Sequence, residues 1–134
     1  MDVQNVSSPI DIAISGMRAQ DKHMEVISSN IANARTVDAG KGQPYRRLDT
    51  VFRADNEGVS TVSVDEVLPD GTPFDQVFDP GNPKAGPSGY VAMPNVQIPV
   101  EMMNMTLASR AYQANAAILK RYQKMVETTL ELLR

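Results

Sequence analysis

Hydrophobic residues recur with a helical spacing at both ends of the chain, and prolines and glycines interrupt the pattern between the ends. Apart from Pro9, all prolines lie from Arg35 to Pro99, and apart from Gly16, all glycines lie in the same interval. Both residue types disfavour the interior of a helix, so a long interruption of this kind separates helical segments. The pattern predicts an α+β chain with long N- and C-terminal helices around a small β-rich middle region.

The first predicted helix begins at Ser8 and Pro9, where serine can cap a helix and proline suits its first turn. It ends near Ala34, so residues 1–34 form the N-terminal helical region. Spacings of three and four residues alternate along one stripe that is apolar except at Gln20, as in the seam of a coiled coil. The stripe consists of Ile10, Ala13, Met17, Gln20, Met24, Ile27, Ile31 and Ala34.

The last predicted helix begins near Pro99 and continues to Arg134, which gives a length of about 50 Å at 1.5 Å per residue. Its stripe consists of Met102, Met105, Ser109, Tyr112, Ala116, Leu119, Gln123, Val126, Leu130 and Leu133. Two narrow seams joined by a chain reversal predict an antiparallel, coiled-coil-like pair. Because the first helix is shorter, part of the second helix requires another partner.

The middle region, residues 35–98, reads as short strands and turns. Val, Thr and Tyr are frequent at 45–53 and 59–67, which predicts two strands, and residues 55–58 suit the connection of a hairpin. Five prolines at 69–87 predict an extended, irregular segment. Residues 89–93 are expected to form a further strand.

Charge and composition exclude several classes of partner. The net charge of −3 arises from 13 basic and 16 acidic residues that are dispersed along the chain, so no basic cluster would bind nucleic acid. No apolar run approaches the roughly 20 residues that span a bilayer, so no direct membrane span is expected. The N-terminus lacks the basic and apolar regions of a secretory signal, so a cleaved signal peptide is not expected either.

The residue types of enzyme and metal sites are scarce. The chain has one histidine and no cysteine, and His23 adjoins the seam position Met24, which indicates a histidine at the rim of a helix rather than a base or ligand. Asp70, Asp75 and Asp79 lie near glycines but lack the pattern of a calcium loop, and they suit turns instead. We expect no catalytic residue, no metal site and no cofactor.

The segment at 28–34 is rich in serine and asparagine, which have modest helix propensity. One interpretation is capping of the helix followed by a turn. The other is a surface of small and amide side chains, including Asn30 and Asn33, that lets neighbouring helices approach closely and fixes their register by hydrogen bonds.

The same segment, together with Gly16-Met17 and Ala19-Gln20, resembles the N-terminal motif of the flagellar rod and hook axial proteins. Further segments are similar to those of proximal-rod members of this family, in the same order along the chain. They are GQPYRR at 42–47, DPGNP at 79–83, GYV at 89–91, MPNV at 93–96, EMM at 101–103 and SRAYQAN at 109–115. The motif positions in the middle region are Pro44, Tyr45, Arg46, Asp79, Pro80, Asn82, Pro83, Gly89, Tyr90, Pro94 and Asn95.

The resemblance implies a non-enzymatic subunit of the proximal rod, which crosses the periplasm and transmits motor torque, with helices at 1–34 and 99–134 in its axial core. It also implies export by the flagellar type III apparatus and contacts with that apparatus, with other proximal-rod proteins, with the rod-to-export-gate adaptor and with further copies of the chain. The expected interface residues are Ile10, Met17, Met24, Ile27, Asn30, Ile31, Asn33, Met102, Met105, Tyr112, Gln113, Asn115, Leu119, Val126 and Leu130.

Two alternatives remain open at this point. One is another axial subunit of the same family. The other is a helical adaptor or chaperone that binds an amphipathic helix of a partner.

Overall fold

The computed structural model describes residues 8–55 and 60–133, and the expected α+β architecture is confirmed. Two long helices enclose two short antiparallel ribbons. In chain order the elements are α1 (Pro9–Ala32), β1 (Leu48–Ala54), β2 (Val62–Pro69), β3 (Asp75–Phe78), β4 (Tyr90–Met93) and α2 (Ile98–Leu132). Within the described residues, neither helix is apolar enough over a sufficient length to cross a membrane.

Helix α1 begins at the predicted capping residue. The Ile10 N–H donates to Ser8 Oγ at 3.3 Å, and the Ser8 N–H donates to Asp11 Oδ2 at 3.0 Å, so the two residues form a capping box. The helix ends at Ala32 rather than at the predicted Ala34. Asn33 follows as the C-cap and its Nδ2 donates to the Ser29 carbonyl at 2.9 Å, which explains the earlier end.

The two helices pack against each other in an antiparallel arrangement, as the seams predicted. Asn30 near the end of α1 lies beside Glu101 near the start of α2, with Nδ2 and Oε2 3.2 Å apart. Farther along, Gly16 lies so close to Asn115 that a Cβ added to the glycine would be 2.7 Å from Asn115 Nδ2. The glycine thus leaves room for the Asn115 amide, which would have to shift if position 16 carried a side chain.

Helix α1 buries a broader face than the single predicted stripe. Ala13 and Ile27 on the stripe are buried, and so are Ala19 and Val26, which lie beside it. Ala19 lines a cleft together with residues of β2, and α1 contacts both β1 and β2 as well as α2. A helix that packs against two elements needs a wider apolar face than a coiled-coil helix.

The seam of α2 begins one residue earlier than its predicted stripe. Glu101 and Ala108 are the buried residues, whereas the predicted Met102 is 59% exposed. Sequence alone assigns a glutamate to the outside, but bonds from Arg47 and Asn30 allow its carboxylate to be buried. The stripe positions farther along are half-buried, and these are Met105, Ser109, Tyr112, Ala116 and Leu119.

Helix α2 continues past the described start of α1. Since Gly16 lies opposite Asn115, the first residue of α1, Pro9, falls opposite about residue 122 in an antiparallel pair. All residues from 123 to 133 are exposed, including the stripe positions Gln123, Val126, Leu130 and Leu133. The expected surplus length of the second helix is therefore present in the structure.

The first ribbon pairs β1 with β2, with Leu48 opposite Pro69 and Ala54 opposite Val62. A bulge between Val51 and Phe52 shifts the register. Both strands were predicted, although β1 begins at Leu48 rather than at Tyr45, because Tyr45 and Arg47 bond side chains of the helices instead. The predicted connection at 55–58 lies, except for Asp55, outside the described residues.

The second ribbon pairs β3 with β4, with Asp75 opposite Met93 and Phe78 opposite Tyr90. The predicted strand at 89–93 is confirmed as β4, but its partner β3 falls inside the segment that was predicted to be irregular. Prolines lie on both sides of these four residues, so the local sequence does not indicate a strand there. The strand is stabilised by its pairing with β4. Gly89, the residue before β4, has φ +78°, and a Cβ there would be 2.8 Å from Phe78 Cε2.

Candidate assembly surface and the polar junction beneath it

Five polar side chains meet where the end of α1, the start of β1 and the start of α2 converge. We call this group, Asn30, Tyr45, Arg47, Asn95 and Glu101, the junction cluster. Asn30 is 0% exposed and Glu101 is 1% exposed, while the other three members are half-buried. Buried polar groups of this kind destabilise a fold unless each has a hydrogen-bond partner.

The amide of Asn30 uses its full bonding capacity within the chain. Its Nδ2 donates to the Leu48 carbonyl at 2.8 Å and to Glu101 Oε2 at 3.2 Å. Its Oδ1 accepts from the Leu48 N–H at 2.9 Å and from the Tyr45 hydroxyl at 3.0 Å. An amide offers two donors and two acceptor sites, so Asn30 has none left for a neighbouring subunit. Its expected place on an assembly surface is corrected to a position inside the chain.

Arg47 supplies the charge that accompanies the buried carboxylate of Glu101. Its Nε donates to Glu101 Oε1 at 2.7 Å, and its guanidinium lies 3.4 Å from Asp70 Oδ2 and 3.5 Å from Asp49 Oδ2. Burial by itself would lower the pKa of Arg47, but the hydrogen bond and charge of Glu101 outweigh it, and the pKa is raised. The arginine therefore stays charged, and the ion pair is complete.

The family-motif residues Arg46 and Asn95 extend the junction cluster into the middle region. Asn95 Oδ1 accepts from the Arg47 N–H at 2.8 Å, and its Nδ2 donates to Thr72 Oγ1 at 2.8 Å. Arg46 donates to the Thr72 carbonyl at 3.0 Å and lies 4.2 Å over the ring of Phe74. These contacts fix the loop after β2 to the segment that leads into β1.

Most of the remaining motif residues lie in the turn between β3 and β4 or next to it. The Asn82 N–H donates to the Asp79 carbonyl at 3.2 Å, and Tyr90 packs edge-on against Phe78 with 5.2 Å between ring centroids. Lys84 in this turn pairs with Asp38, and this hydrogen bond contributes most to lowering the pKa of Asp38 to about 2. Of the other motif positions, Pro44 and Pro94 are buried, Gly89 is half-buried, and Pro80 and Pro83 are exposed.

His23 has a packing role between α1 and β1. Its ring meets Phe52 edge-on with 5.4 Å between centroids, and Nδ1 hydrogen-bonds Thr50 Oγ1. Burial is the main reason that its pKa is lowered, against the charge of Asp49. The ring is half-buried, and it packs against the edge of the ribbon rather than pointing into solvent.

The expected interface residues divide into three groups in the structure. Ile27 and Asn30 are buried. Asn33 is half-buried and acts as the C-cap of α1, in line with the capping interpretation of this segment. The half-buried residues along the helix pair are Ile10, Met17, Met24, Ile31, Met105, Tyr112, Asn115 and Leu119, and the exposed ones are Met102, Gln113, Val126 and Leu130.

Two apolar surfaces of α2 face outward. The first continues the seam beyond α1 through Val126, Leu130 and Leu133, which are 41%, 62% and 80% exposed, and we call it the overhang seam. The second was missed in the sequence and is called the outer stripe. At 100° per residue its members fall within about 60° of one another around the helix. They are Val100, Met103, Leu107, Ile118 and Met125.

Comparison with known proteins places the helical ends in flagellar families. A family described as "Flagella basal body rod protein" matches residues 10–39, which contain all of α1 except Pro9. A second family, described as "Flagellar basal body rod FlgEFG protein C-terminal", matches residues 88–132, which contain β4 and α2. The two matches together leave out most of the middle region.

Relatives extend the similarity over nearly the whole chain. The flagellar basal-body rod protein FlgC of Salmonella typhimurium is 43% identical over 125 residues, which cover 91% of this chain and 93% of the relative. The protein of the same name from Agrobacterium fabrum is 38% identical over 133 residues and 96% of both chains. That of Buchnera aphidicola subsp. Schizaphis graminum is 37% identical over 128 residues, with 92% and 94% coverage.

Proposed function

Because this chain belongs to the FlgC family of flagellar basal-body rod proteins and is a structural subunit of the rod, we propose that it forms part of the proximal rod and helps to transmit motor torque. Its relatives are structural rod proteins. The two alternatives drawn from the sequence, another axial subunit and a helical adaptor, have no comparable support. Torque transmission requires stiff and extensive contacts between subunits, and we assign these contacts to the helical ends.

The overhang seam is the observation that carries this proposal. Val126, Leu130 and Leu133 continue the spacing of the seam, yet they are exposed in the described chain. Complete burial of a leucine contributes about 1.5–3 kcal/mol, so these residues offer a neighbouring helix a large stabilisation. A helix with an uncovered apolar stripe is itself only marginally stable in water. Both arguments favour assembly with further subunits.

We further propose how the regions divide this task. Residues 1–34 and 99–134 form the inner helical layer, and residues 35–98 contact adjacent subunits. Neighbours are further copies of this chain, other proximal-rod proteins and the rod-to-export-gate adaptor. The rod's course across the periplasm and passage of the chain through the flagellar export apparatus belong to the same proposal.

Replacement of Leu130 by aspartate tests the assembly role. Leu130 is 62% exposed, so the charge should not disturb the fold of the single chain, but it would be buried and unpaired against a neighbouring helix. We expect cells that carry only Leu130→Asp to lack complete rods and to stop swimming. The measurements are swimming on soft agar, protein level by immunoblot and electron microscopy of basal bodies.

Thr128→Asp is the matched control, because Thr128 is exposed and lies about 160° around the helix from Leu130. It introduces the same charge two residues away and should leave swimming intact. Normal swimming by Leu130→Asp at a normal protein level would contradict the proposal.

A further inference from the structure

The seam of the helix pair contains small side chains at several points, between larger ones such as Ile27 and Tyr112. The buried seam residues include Ala13 on α1 and Ala108 on α2, and Gly16 lies at the close approach to Asn115. Small side chains form shallow knobs and holes, which hold one register less firmly than large side chains do. Apolar packing along this part of the seam therefore specifies the register weakly.

Two contacts between the helices, one hydrogen bond and one close approach, occur at equal intervals on the two helices. On α1 they involve Asn30 and Gly16, which are 30 − 16 = 14 residues apart, and on α2 they involve Glu101 and Asn115, which are 115 − 101 = 14 residues apart. Fourteen residues are two heptads, so both contacts lie on the same seam, about 21 Å from each other. A displacement by one turn would break both contacts.

The contact at Asn30 also includes the middle region. Arg47 bonds Glu101 at 2.7 Å, and the backbone of Leu48 both donates to and accepts from Asn30. In any other register Glu101 would be a buried carboxylate without these partners, which is far more unfavourable than the loss of an apolar contact. The same bonds thus connect the stagger of the helices with the position of β1.

We propose that Asn30, Arg47 and Glu101 are positioning residues that select one register of the α1–α2 pair and one orientation of the middle region on it. The pair then exposes the same length of overhang seam in every subunit. This consequence for the rod rests on the function proposed above, whereas the selection of register is a property of the single chain.

A positioning role differs from a purely stabilising role in one measurable respect. Replacement of a buried ion pair by apolar residues of similar volume is often neutral or stabilising, even where the pair specified a register. Arg47→Met with Glu101→Leu makes this replacement. Asp49 and Asp70, the other partners of Arg47, keep access to water because their side chains are 57% and 25% exposed. We expect a chain that unfolds cooperatively and has lost its preference for one register.

Engineered cysteines report the register directly, because the chain has no cysteine of its own. Gly16→Cys with Asn115→Cys reports the observed register, since a Cβ at position 16 would lie 3.1 Å from Asn115 Cγ. Gly16→Cys with Tyr112→Cys and Gly16→Cys with Leu119→Cys report displacements by one turn in either direction. Rates of disulfide formation are measured in the purified full-length chain and in basal bodies.

With the junction cluster intact, the 16–115 bridge should form at least about tenfold faster than either displaced bridge. In the Arg47→Met, Glu101→Leu background, the ratio of the 16–115 rate to the rate of either displaced bridge should approach one. Lys22→Gln with Glu25→Gln, which removes an exposed ion pair on α1, serves as the control and should leave the ratio unchanged. An unchanged ratio in the Arg47→Met, Glu101→Leu chain would overturn the proposal.

If the Arg47→Met, Glu101→Leu chain no longer unfolds cooperatively, Glu101→Gln tests the positioning role instead. Glutamine keeps the shape of the side chain but removes the ion pair, so the ratio should fall at least about threefold. A constant ratio would again refute the positioning role. Failure of the proposed function has a different signature, namely normal swimming by Leu130→Asp while the disulfide ratios still depend on the junction cluster.

Discussion

The amide of Asn30 connects α1, α2 and β1 with four hydrogen bonds from one buried position. Its Nδ2 donates to the Glu101 carboxylate at 3.2 Å and to the Leu48 carbonyl at 2.8 Å. The side chain must therefore donate in these two directions. Any replacement that keeps its size but removes the donors sets oxygen against oxygen in a buried site.

Asn30→Asp is such a replacement, and we expect it to lower the free energy of unfolding at neutral pH by about 3 kcal/mol. Repulsion by Glu101 and burial would raise the pKa of the introduced carboxyl above its unfolded value, and a protonated carboxyl can donate to Leu48. The loss should therefore shrink as the pH falls through that raised pKa. Denaturant titrations at several pH values measure this change.

Asn33→Asp provides the comparison, because Asn33 has a capping bond at 2.9 Å and is only half-buried. Its loss should be about 1 kcal/mol. Equal losses for the two variants would show that the Asn30 site is not specific for an amide.

The buried members of the junction cluster show which contacts could not be predicted from the sequence. Asn30 lies in a segment that attracted attention for its amides, and the motifs included Tyr45, Arg46 and Asn95, but no periodicity indicated that Glu101 is buried. A buried glutamate can be predicted only when its partner is known. The partner of Glu101 is Arg47, which is 54 residues away in the sequence. Contacts between such distant polar residues depend on the tertiary fold, which local patterns do not contain.

Helix α1 was predicted almost to the residue because its start is encoded locally. Ser8, Pro9 and Asp11 form a cap that any helix with this sequence can form. Strand β3 lies at the other extreme. Its residues have weak local preference and pair with β4 across a turn of eleven residues, 79–89, so only the partner strand reveals it.

The cap of α1 leads to a prediction about this helix. Ser8→Ala removes the acceptor for the Ile10 N–H and the reciprocal arrangement with Asp11, so the free energy of unfolding should fall by about 1 kcal/mol. Ser28→Ala is the matched control, since Ser28 is exposed within the helix and alanine has the higher helix propensity. Thermal unfolding followed by circular dichroism measures both, and a larger loss for Ser28→Ala would contradict the capping role.

The whole chain has an uneven distribution of buried surface. Apolar burial is concentrated where α1, the first ribbon and the first part of α2 meet, whereas α2 beyond residue 122 is exposed on every side within the described residues. Helices of this length without tertiary contacts are marginal in water. The single chain should therefore have a stable centre and a weakly stable C-terminal end, which suits a subunit whose last turns bind a neighbour.

Hydrogen exchange tests this unevenness in the purified chain and in assembled basal bodies. In the single chain, amides at 105–119 should exchange only when the helix pair opens. Amides at 126–132 should exchange at least about a hundredfold faster. In the rod both segments should be protected, because the neighbour covers Val126 and Leu130 and makes fraying of the helix unfavourable. Leu130→Asp should leave the exchange of the single chain unchanged, since its side chain is exposed there. Slow exchange at 126–132 in the monomeric chain would show that the end of α2 is stable by itself, and then its exposed leucines could not be explained by a need for assembly.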